Sequence, residues 1–365
     1  MAERLKDMFF TQSSVGKFAD TIKQIYPEFD KKKFIRLVFD DTFADKELLD
    51  KMRHTTSCLK KTLPKSYEEA LTILKDAAAQ AKGFEALSLP DFVATYGLED
   101  WDISLSALYH FTKYSTSELA IRPFLAKNPE KAMALMIEWA EDRDPKVRRF
   151  SSEGCRPRLP WAMALPKFKK DPRPILPVLE KLKNDKSEDV RRSVANNLND
   201  ISKDNPGVAL EICERWYGQS KNTDKIVKHA CRTLLKAGDK RALLLFGYSD
   251  PLTMSLDNFK LAKTKIRIGE DVRFSFDLNL KEKSKVRLEY AIFYVKAKGR
   301  LSKKVFKITE NDYTPGTVTV SRKHSLADMS TRKHFPGIHH LSILVNGNEM
   351  AKASFDLVGN PSNAR

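Results

Sequence analysis

The sequence predicts a chain of two parts, a solenoid of paired α-helices followed by an all-β sandwich. Three observations carry this reading. Up to about residue 245 the chain reads as amphipathic helices separated by short Pro, Asp and Asn punctuation. Within that stretch a short motif recurs at an interval typical of stacked helix pairs. Past about residue 255 the pattern changes to the period-two alternation of strands.

The helical part comes first. Asp144-Pro145-Lys146-Val147-Arg148-Arg149 returns as Glu188-Asp189-Val190-Arg191-Arg192, with 43 residues between Val147 and Val190. A weaker copy starts at Ile226-Val227-Lys228, 36 residues after Val190. Another helical pattern precedes each copy, for example at 132–141 and 174–183. Paired helices at this period are HEAT-like repeats, which bury their apolar faces by stacking. The reading is a HEAT-like α-helical solenoid over 1–248.

In the β part, Val272, Phe274, Phe276, Leu278 and Leu280 alternate with mostly polar residues. Short runs follow at 286–297, 304–308, 317–320, 338–345 and 351–357, and Asn346-Gly347 is a hairpin signal. About seven short strands in about a hundred residues, without a pair of cysteines to join them, predict an immunoglobulin-like β-sandwich over 255–360. The segment 247–257 reads as the linker.

Charge narrows the function classes. The chain carries 65 Lys and Arg against 48 Asp and Glu, a formal net charge of +17. A surplus of that size points to a polyanionic partner, nucleic acid or an acidic membrane face. No apolar run is long enough to span a bilayer, and the first residues lack the apolar core of a signal peptide, so the expectation is a cytoplasmic protein with no membrane role. Cys58, Cys155, Cys213 and Cys231 show no zinc-ligand spacing and read as buried free thiols. Adjacent residues on a strand face opposite ways, so His339-His340 is a poor metal pair. The expectation is no metal and no cofactor.

Helical spacing then defines a candidate surface. Val190, Val194, Leu198 and Ile201 share one face and form the packing stripe of the second repeat. A different stripe carries Arg192, Asn196 and Asp200. The repeat offsets place Arg149 and Glu153 on the equivalent stripe before it, and Lys228 and Arg232 on the one after. Stacking would align these into a basic row containing two carboxylates. Two readings stay open: a nucleic-acid surface with catalytic acids, or a solvated face with intrahelical ion pairs. The favoured order for an i,i+4 pair puts Glu first, and here Arg149 precedes Glu153. Glu153 also lies near a helix end, because Pro157 and Pro160 follow, and a carboxylate there opposes the helix dipole. Each of these effects is worth at most about 1 kcal/mol.

The stretch Arg156-Pro157-Arg158-Leu159-Pro160-Trp161 reads as a stiff basic loop. Trp161 either stacks on a base or sugar or anchors the loop in the core. Lys167, Lys169, Lys170 and Arg173 extend the basic surface towards the next helix.

The same residues carry a family resemblance. The strings from Ser115 to Phe124, Val147 to Trp161 and Val190 to Lys203 resemble the AlkC branch of the AlkC/AlkD alkylpurine DNA glycosylases. The resemblance covers about residues 1–245, and some AlkC-type proteins also carry an immunoglobulin-like C-terminal domain. It implies a HEAT-like enzyme without metal or cofactor that excises cationic alkylated bases from DNA: 3-methyladenine, 3-methylcytosine and 1-methyladenine. The expected partner is alkylated double-stranded DNA, and the expected state is a monomer. It places the acidic active-site positions on Glu118, Glu153 and Asp200. It places DNA contacts on Arg149, Arg156 and Trp161. The surrounding cations Arg148, Arg158, Lys167, Arg191, Arg192, Lys203, Lys228 and Arg232 complete the expected DNA-binding set.

An N-alkylated base is already positively charged and leaves as a neutral molecule, so no strong general acid is needed. The transition state places positive charge on the sugar, as in glycoside hydrolysis. Fixed carboxylates suit that charge and the activation of water. Walker, HExxH and GxSxG patterns are absent from the chain. The alternative is a non-catalytic HEAT-repeat scaffold that binds nucleic acid through the same row. The two differ in whether Glu118, Glu153 and Asp200 converge, since a scaffold has no use for three acids in a phosphate groove.

Overall fold

The computed structural model describes residues 8–248, 253–329 and 332–359. The chain divides into two compact units, Met1–Ala230 and Cys231–Arg365.

The first unit is helical. Its helices are α1 (Gln12–Ile25), α2 (Lys31–Val38), α3 (Leu48–Thr62), α4 (Tyr67–Ala77), α5 (Ser88–Tyr96), α6 (Trp101–Thr112), α7 (Arg122–Lys127), α8 (Pro129–Trp139), α9 (Pro145–Gly154), α10 (Pro166–Lys170), α11 (Leu176–Leu182), α12 (Glu188–Asp204), α13 (Pro206–Trp216) and α14 (Lys221–Ala230). Local chemistry sets where they start. Asp144 accepts the Lys146 amide hydrogen at 2.8 Å, with Pro145 in the first turn, and Asn128 caps α8 in the same way.

The three copies of the repeat are α9, α12 and α14, and they are neighbours: α9 packs on α12 and α12 on α14. The stripe formed by Val190, Val194, Leu198 and Ile201 is fully buried, as its spacing predicts. A polar seam ties the copies together as well. Asn197 donates to the Ser152 carbonyl at 2.8 Å, and Asn199 donates to the Ala230 carbonyl at 2.6 Å. These buried amides fix helix register, because a slip would strand them without partners.

The second unit opens with two short helices, α15 (Arg232–Ala237) and α16 (Lys240–Leu245), ahead of the sandwich. The strands are β1 (Met254–Leu261), β2 (Lys265–Arg267), β3 (Asp271–Leu280), β4 (Ser284–Val295), β5 (Leu301–Tyr313), β6 (Gly316–Ser325), β7 (Gly337–Val345) and β8 (Asn348–Val358). One sheet has the order β1-β3-β6, the other β2-β8-β7-β4-β5, and among the described residues only the β2/β8 pair is parallel. The inward residues of β3 (Val272, Phe274, Phe276, Leu278) meet those of β4, β7 and β8 in one apolar core. Asn346 and Gly347 both have positive φ, 47° and 79°, which is the conformation of a two-residue hairpin turn between β7 and β8. At Gly347 a side chain is also barred by space, because a Cβ would lie 2.7 Å from the Gly238 Cα.

His324 of β6 spans the two sheets. Its ring nitrogens meet the hydroxyls of Tyr290 and Tyr294 of β4 at 2.9 and 2.6 Å. Burial pushes its pKa down to about 4.

One expectation for this part needs correction. Residues 254–257, read as linker, belong to β1, and β2 was also missed. The alternation of β1 is broken by a register shift between Asp257 and Lys260, where Asn258 takes φ 54°. Some basic residues of the sandwich are tied into the fold. Arg287 is buried and donates to Glu289 at 2.6 Å, and Lys285 donates to the Phe246 carbonyl at 2.8 Å. Cys58, Cys155, Cys213 and Cys231 are buried thiols outside any disulfide.

Candidate active site

The three acids predicted from the sequence come from three separate segments of the first unit. Glu118 sits on the turn before α7, Glu153 near the end of α9, and Asp200 on α12. Arginines connect them. Arg149 donates to Glu118 at 2.6 Å and lies 3.9 Å from Glu153. Arg156 donates through Nη1 to Glu153 Oε1 at 2.5 Å and through Nε to Asp200 Oδ2 at 2.8 Å. Lys203, one turn further along α12, closes the row by donating to Asp200 Oδ1 at 2.9 Å. The order is therefore acid, base, acid, base, acid, base.

Each carboxylate is also held by neutral groups or by burial. Ser193 of α12 donates its hydroxyl to Glu153 Oε2 at 2.6 Å, and Thr116 donates to Glu118 Oε2 at 2.9 Å. Glu153 and Asp200 are buried, while Glu118 keeps 18% of its side chain exposed. Burial opposes the charge on Arg156, but Glu153 and Asp200 beside it raise its pKa overall. Arg149 behaves in the same way between Glu118 and Glu153.

Spacing set Asp200 on a stripe separate from the apolar one, yet it is only 1% exposed. The reason is the loop after α9, which folds Arg156 over it. A change at Asp200 therefore carries a folding cost that its stripe position does not show. The intrahelical pairing of Arg149 with Glu153 is loose, and the shorter bond of Arg149 goes to Glu118.

Trp161 lies on that same loop, 62% exposed and at φ 63°. It is therefore no core anchor; Leu159, buried two residues earlier, takes that part. Arg158 makes a two-bond contact with Asp204, at 2.7 and 2.6 Å. Arg148, next to Arg149, turns to Asp185 with bonds of 2.6 and 2.9 Å and also donates to the Asp142 and Arg143 carbonyls. Arg191 donates to the Asp185 and Lys186 carbonyls. Arg148 and Arg191, named among the surrounding cations, thus brace the turn before α12.

The other cations are more open. Lys167 on α10 is exposed, and Arg192 is exposed and pairs loosely with Glu188 and Asp189, at 3.2 and 3.3 Å. Lys228 is half-buried on α14. Arg232 falls in the second compact unit.

Two residues of the site went unassigned from sequence. Arg122, at the start of α7, is completely buried and donates to the carbonyls of Gly154, Arg156 and Met163 at 3.0, 2.9 and 2.6 Å. Ser193 was missed too; only its contact with Glu153 marks it. Among the described residues no group of His, Cys, Asp and Glu is arranged to hold a metal ion, and no helix is long and apolar enough to cross a membrane.

Comparison with known proteins places this geometry. Residues 255–359 match the family described as "Uncharacterised protein YhaZ, C-terminal Ig-like domain", and residues 175–204 match the HEAT repeat. The chain is 46% identical over 344 residues to the protein YhaZ of Bacillus subtilis (strain 168), covering 94% of this chain and 96% of that one. Among solved structures it is similar to the Pseudomonas fluorescens alkylpurine DNA glycosylase AlkC bound to DNA containing an abasic site analog. That match has 36% identity and a TM-score of 0.93, and it covers 98% of this chain and 100% of the other. The chain belongs to the AlkC branch of the HEAT-like alkylbase DNA glycosylases.

Proposed function

We propose that this glycosylase hydrolyses the N-glycosidic bond of positively charged alkylated bases in double-stranded DNA. The bases are 3-methyladenine, 3-methylcytosine and 1-methyladenine, and the chain works as a monomer. One observation carries the assignment of the site: Glu118, Glu153 and Asp200, far apart in sequence, are drawn into one row by Arg149 and Arg156.

The chemistry follows from charge. Breaking the bond between C1′ and the base nitrogen returns the bonding electrons to a cationic base, which leaves neutral. The sugar becomes an oxocarbenium ion. A carboxylate held rigidly beside it stabilises that ion, because its position costs nothing to organise at the moment of reaction. Water then adds to C1′ and gives up a proton to one of the carboxylates. Glu118, with the most exposed side chain of the three acids, is the first to meet an incoming nucleotide. Trp161 offers an exposed ring to stack on a base or sugar.

Arg149, Lys167, Arg192 and Lys228 supply phosphate contacts on the first unit. The chemistry is assigned to the helical region, 1–248. The sandwich, 255–360, extends the grip on DNA through exposed lysines such as Lys281, Lys283, Lys303 and Lys304.

The test is incubation with methylated duplex DNA followed by analysis of the released bases. Free 3-methyladenine or 3-methylcytosine from the wild type, and a large loss with Glu153→Gln, is the expected result. Tight DNA binding without any released base would instead favour a nucleic-acid scaffold.

A further inference from the structure

We infer that Arg122 is a positioning residue for the reaction. It clamps both ends of the loop from Gly154 to Met163, so that Trp161 stays presented. The inference rests on the reading of the site given above.

The argument starts from an expensive group. A guanidinium with no solvent exposure loses its hydration, and burial lowers the pKa of Arg122 to about 10. Among the described residues no carboxylate lies within ion-pair distance of it. Its bonds go to three backbone carbonyls instead, and all three belong to one loop. Gly154 and Arg156 mark where that loop leaves α9, and Met163 marks where it returns. A planar fork reaches several acceptors at once, which a lysine ammonium on a flexible stem does not reproduce.

What lies between the clamped ends explains the need for a clamp. Trp161 adopts φ 63°, a conformation that a bulky side chain avoids and that costs on the order of 1–3 kcal/mol. Such a residue keeps its shape only when its surroundings over-determine it. The loop's own hydrogen bonds are long, with Ala162 N to Leu159 O at 3.4 Å and Leu165 N to Pro157 O at 3.2 Å. The shortest bond to the loop backbone beside Trp161 comes from Arg122. Without it, the cheapest relaxation returns Trp161 to negative φ and turns its ring away.

The experiment is a double-mutant cycle on single-turnover base release, combining Arg122→Lys with Trp161→Ala. Hydrogen exchange over residues 154–163 and thermal melting are read on the same proteins. Arg122→Lys alone should slow release by about 10²-fold, the scale for a reacting group misplaced by about 1 Å. Affinity for undamaged DNA should change far less. In the Trp161→Ala background the Arg122→Lys loss should largely vanish, because the loop then has no ring to present. Exchange over 154–163 should quicken while the rest of α9 and α12 stays protected.

Should Arg122→Lys fail to fold, Met163→Gly loosens the clamp from its other end, at a side chain that is itself exposed. It should give slower release and faster loop exchange. A folded Arg122→Lys with full rate would overturn the inference. So would rate losses that multiply independently with Trp161→Ala, or an unchanged rate and loop exchange in Met163→Gly. Those results leave the site itself intact as long as Glu153→Gln still abolishes release; full activity in Glu153→Gln would sink the underlying reading instead.

Discussion

Replacing Asp200 with Asn separates its chemical from its structural part. Its two oxygens have different partners, Arg156 on one side and Lys203 on the other. Asn keeps the size but offers only one acceptor. That oxygen goes to Arg156, because Arg156 is buried while Lys203 is 37% exposed and can turn to water. A hydrogen bond to a charged group is worth about 1.5–3 kcal/mol with an ionised partner and about 1 kcal/mol less with a neutral one. Losing the partly exposed Lys203 contact adds about 0.5–1 kcal/mol. The total is about 2 kcal/mol, which for a unit of this size lowers the melting temperature by about 4–8 °C. The fold survives, at a cost that the sequence alone did not reveal. The rate should suffer more: loss of one fixed charge beside the oxocarbenium ion slows release by about 10²-fold or more. Single-turnover release of 3-methyladenine, well below the melting transition, is the assay. DNA affinity should hold or rise, because a negative charge has left the phosphate path. If release is unchanged while melting falls as calculated, Asp200 is a structural member of the network only and the proposed chemistry is wrong for it.

Other perturbations give independent checks. Binding to undamaged duplex DNA should weaken steeply with salt, and Arg149→Ala should flatten the log–log slope by about one unit per lost phosphate contact; a salt-independent affinity would point to a protein partner. Truncation should be made after Ala230, since a cut near residue 250 falls inside the second compact unit; residues 1–230 should bind DNA more weakly than the full chain, and equal affinity would show that the sandwich serves another purpose. The second unit should lose stability in acid. The His324 pKa is lowered in the fold, by burial first and then by the Arg332 and His334 charges, with Asp271 acting weakly the other way. Its contribution is therefore intact above the unfolded value of about 6.5 and is lost as pH falls towards about 4, a difference of order 3 kcal/mol that denaturant melts at pH 7 and pH 4.5 would detect in part. His324→Gln should flatten that dependence, and an identical pH slope in wild type and variant would argue against His324 as its source.

The parts that were legible in the sequence share a physical cause. Val147, Val190 and Ile226 recur at repeat spacing because stacked helices must bury the same face, so the solenoid could be read directly. The placement of Glu153 and Asp200 on one row followed from the same offsets. Glu118 has no such periodicity, as it sits on a turn, and only family resemblance found it. Arg122 was invisible because its partners are backbone carbonyls 32 to 41 residues away, which leave no pattern in side-chain types. Strand β1 was hidden by its own irregularity at Asn258. Arg148 and Arg149 show the limit most plainly. Neighbours on one helix and identical in type, they take different acids, and nothing in the sequence distinguishes a strut from a site residue.

The alternating row has a consequence for how the site can change. Glu118, Glu153 and Asp200 are matched by Arg149, Arg156 and Lys203, so the set carries no net charge. Truncating one member outright leaves odd parity, and where the partner left behind is buried, as Arg156 is, the stranded charge costs about 3–5 kcal/mol, more than the exchange of Asp200 for an amide that keeps one bond. Removing neighbours together restores parity, and apolar replacements of matched volume are often neutral or stabilising. Drift through this site should therefore proceed by twos. An inert but sturdy form, useful for trapping DNA, is better sought in the compensated change Arg156→Met with Asp200→Leu than in either alone.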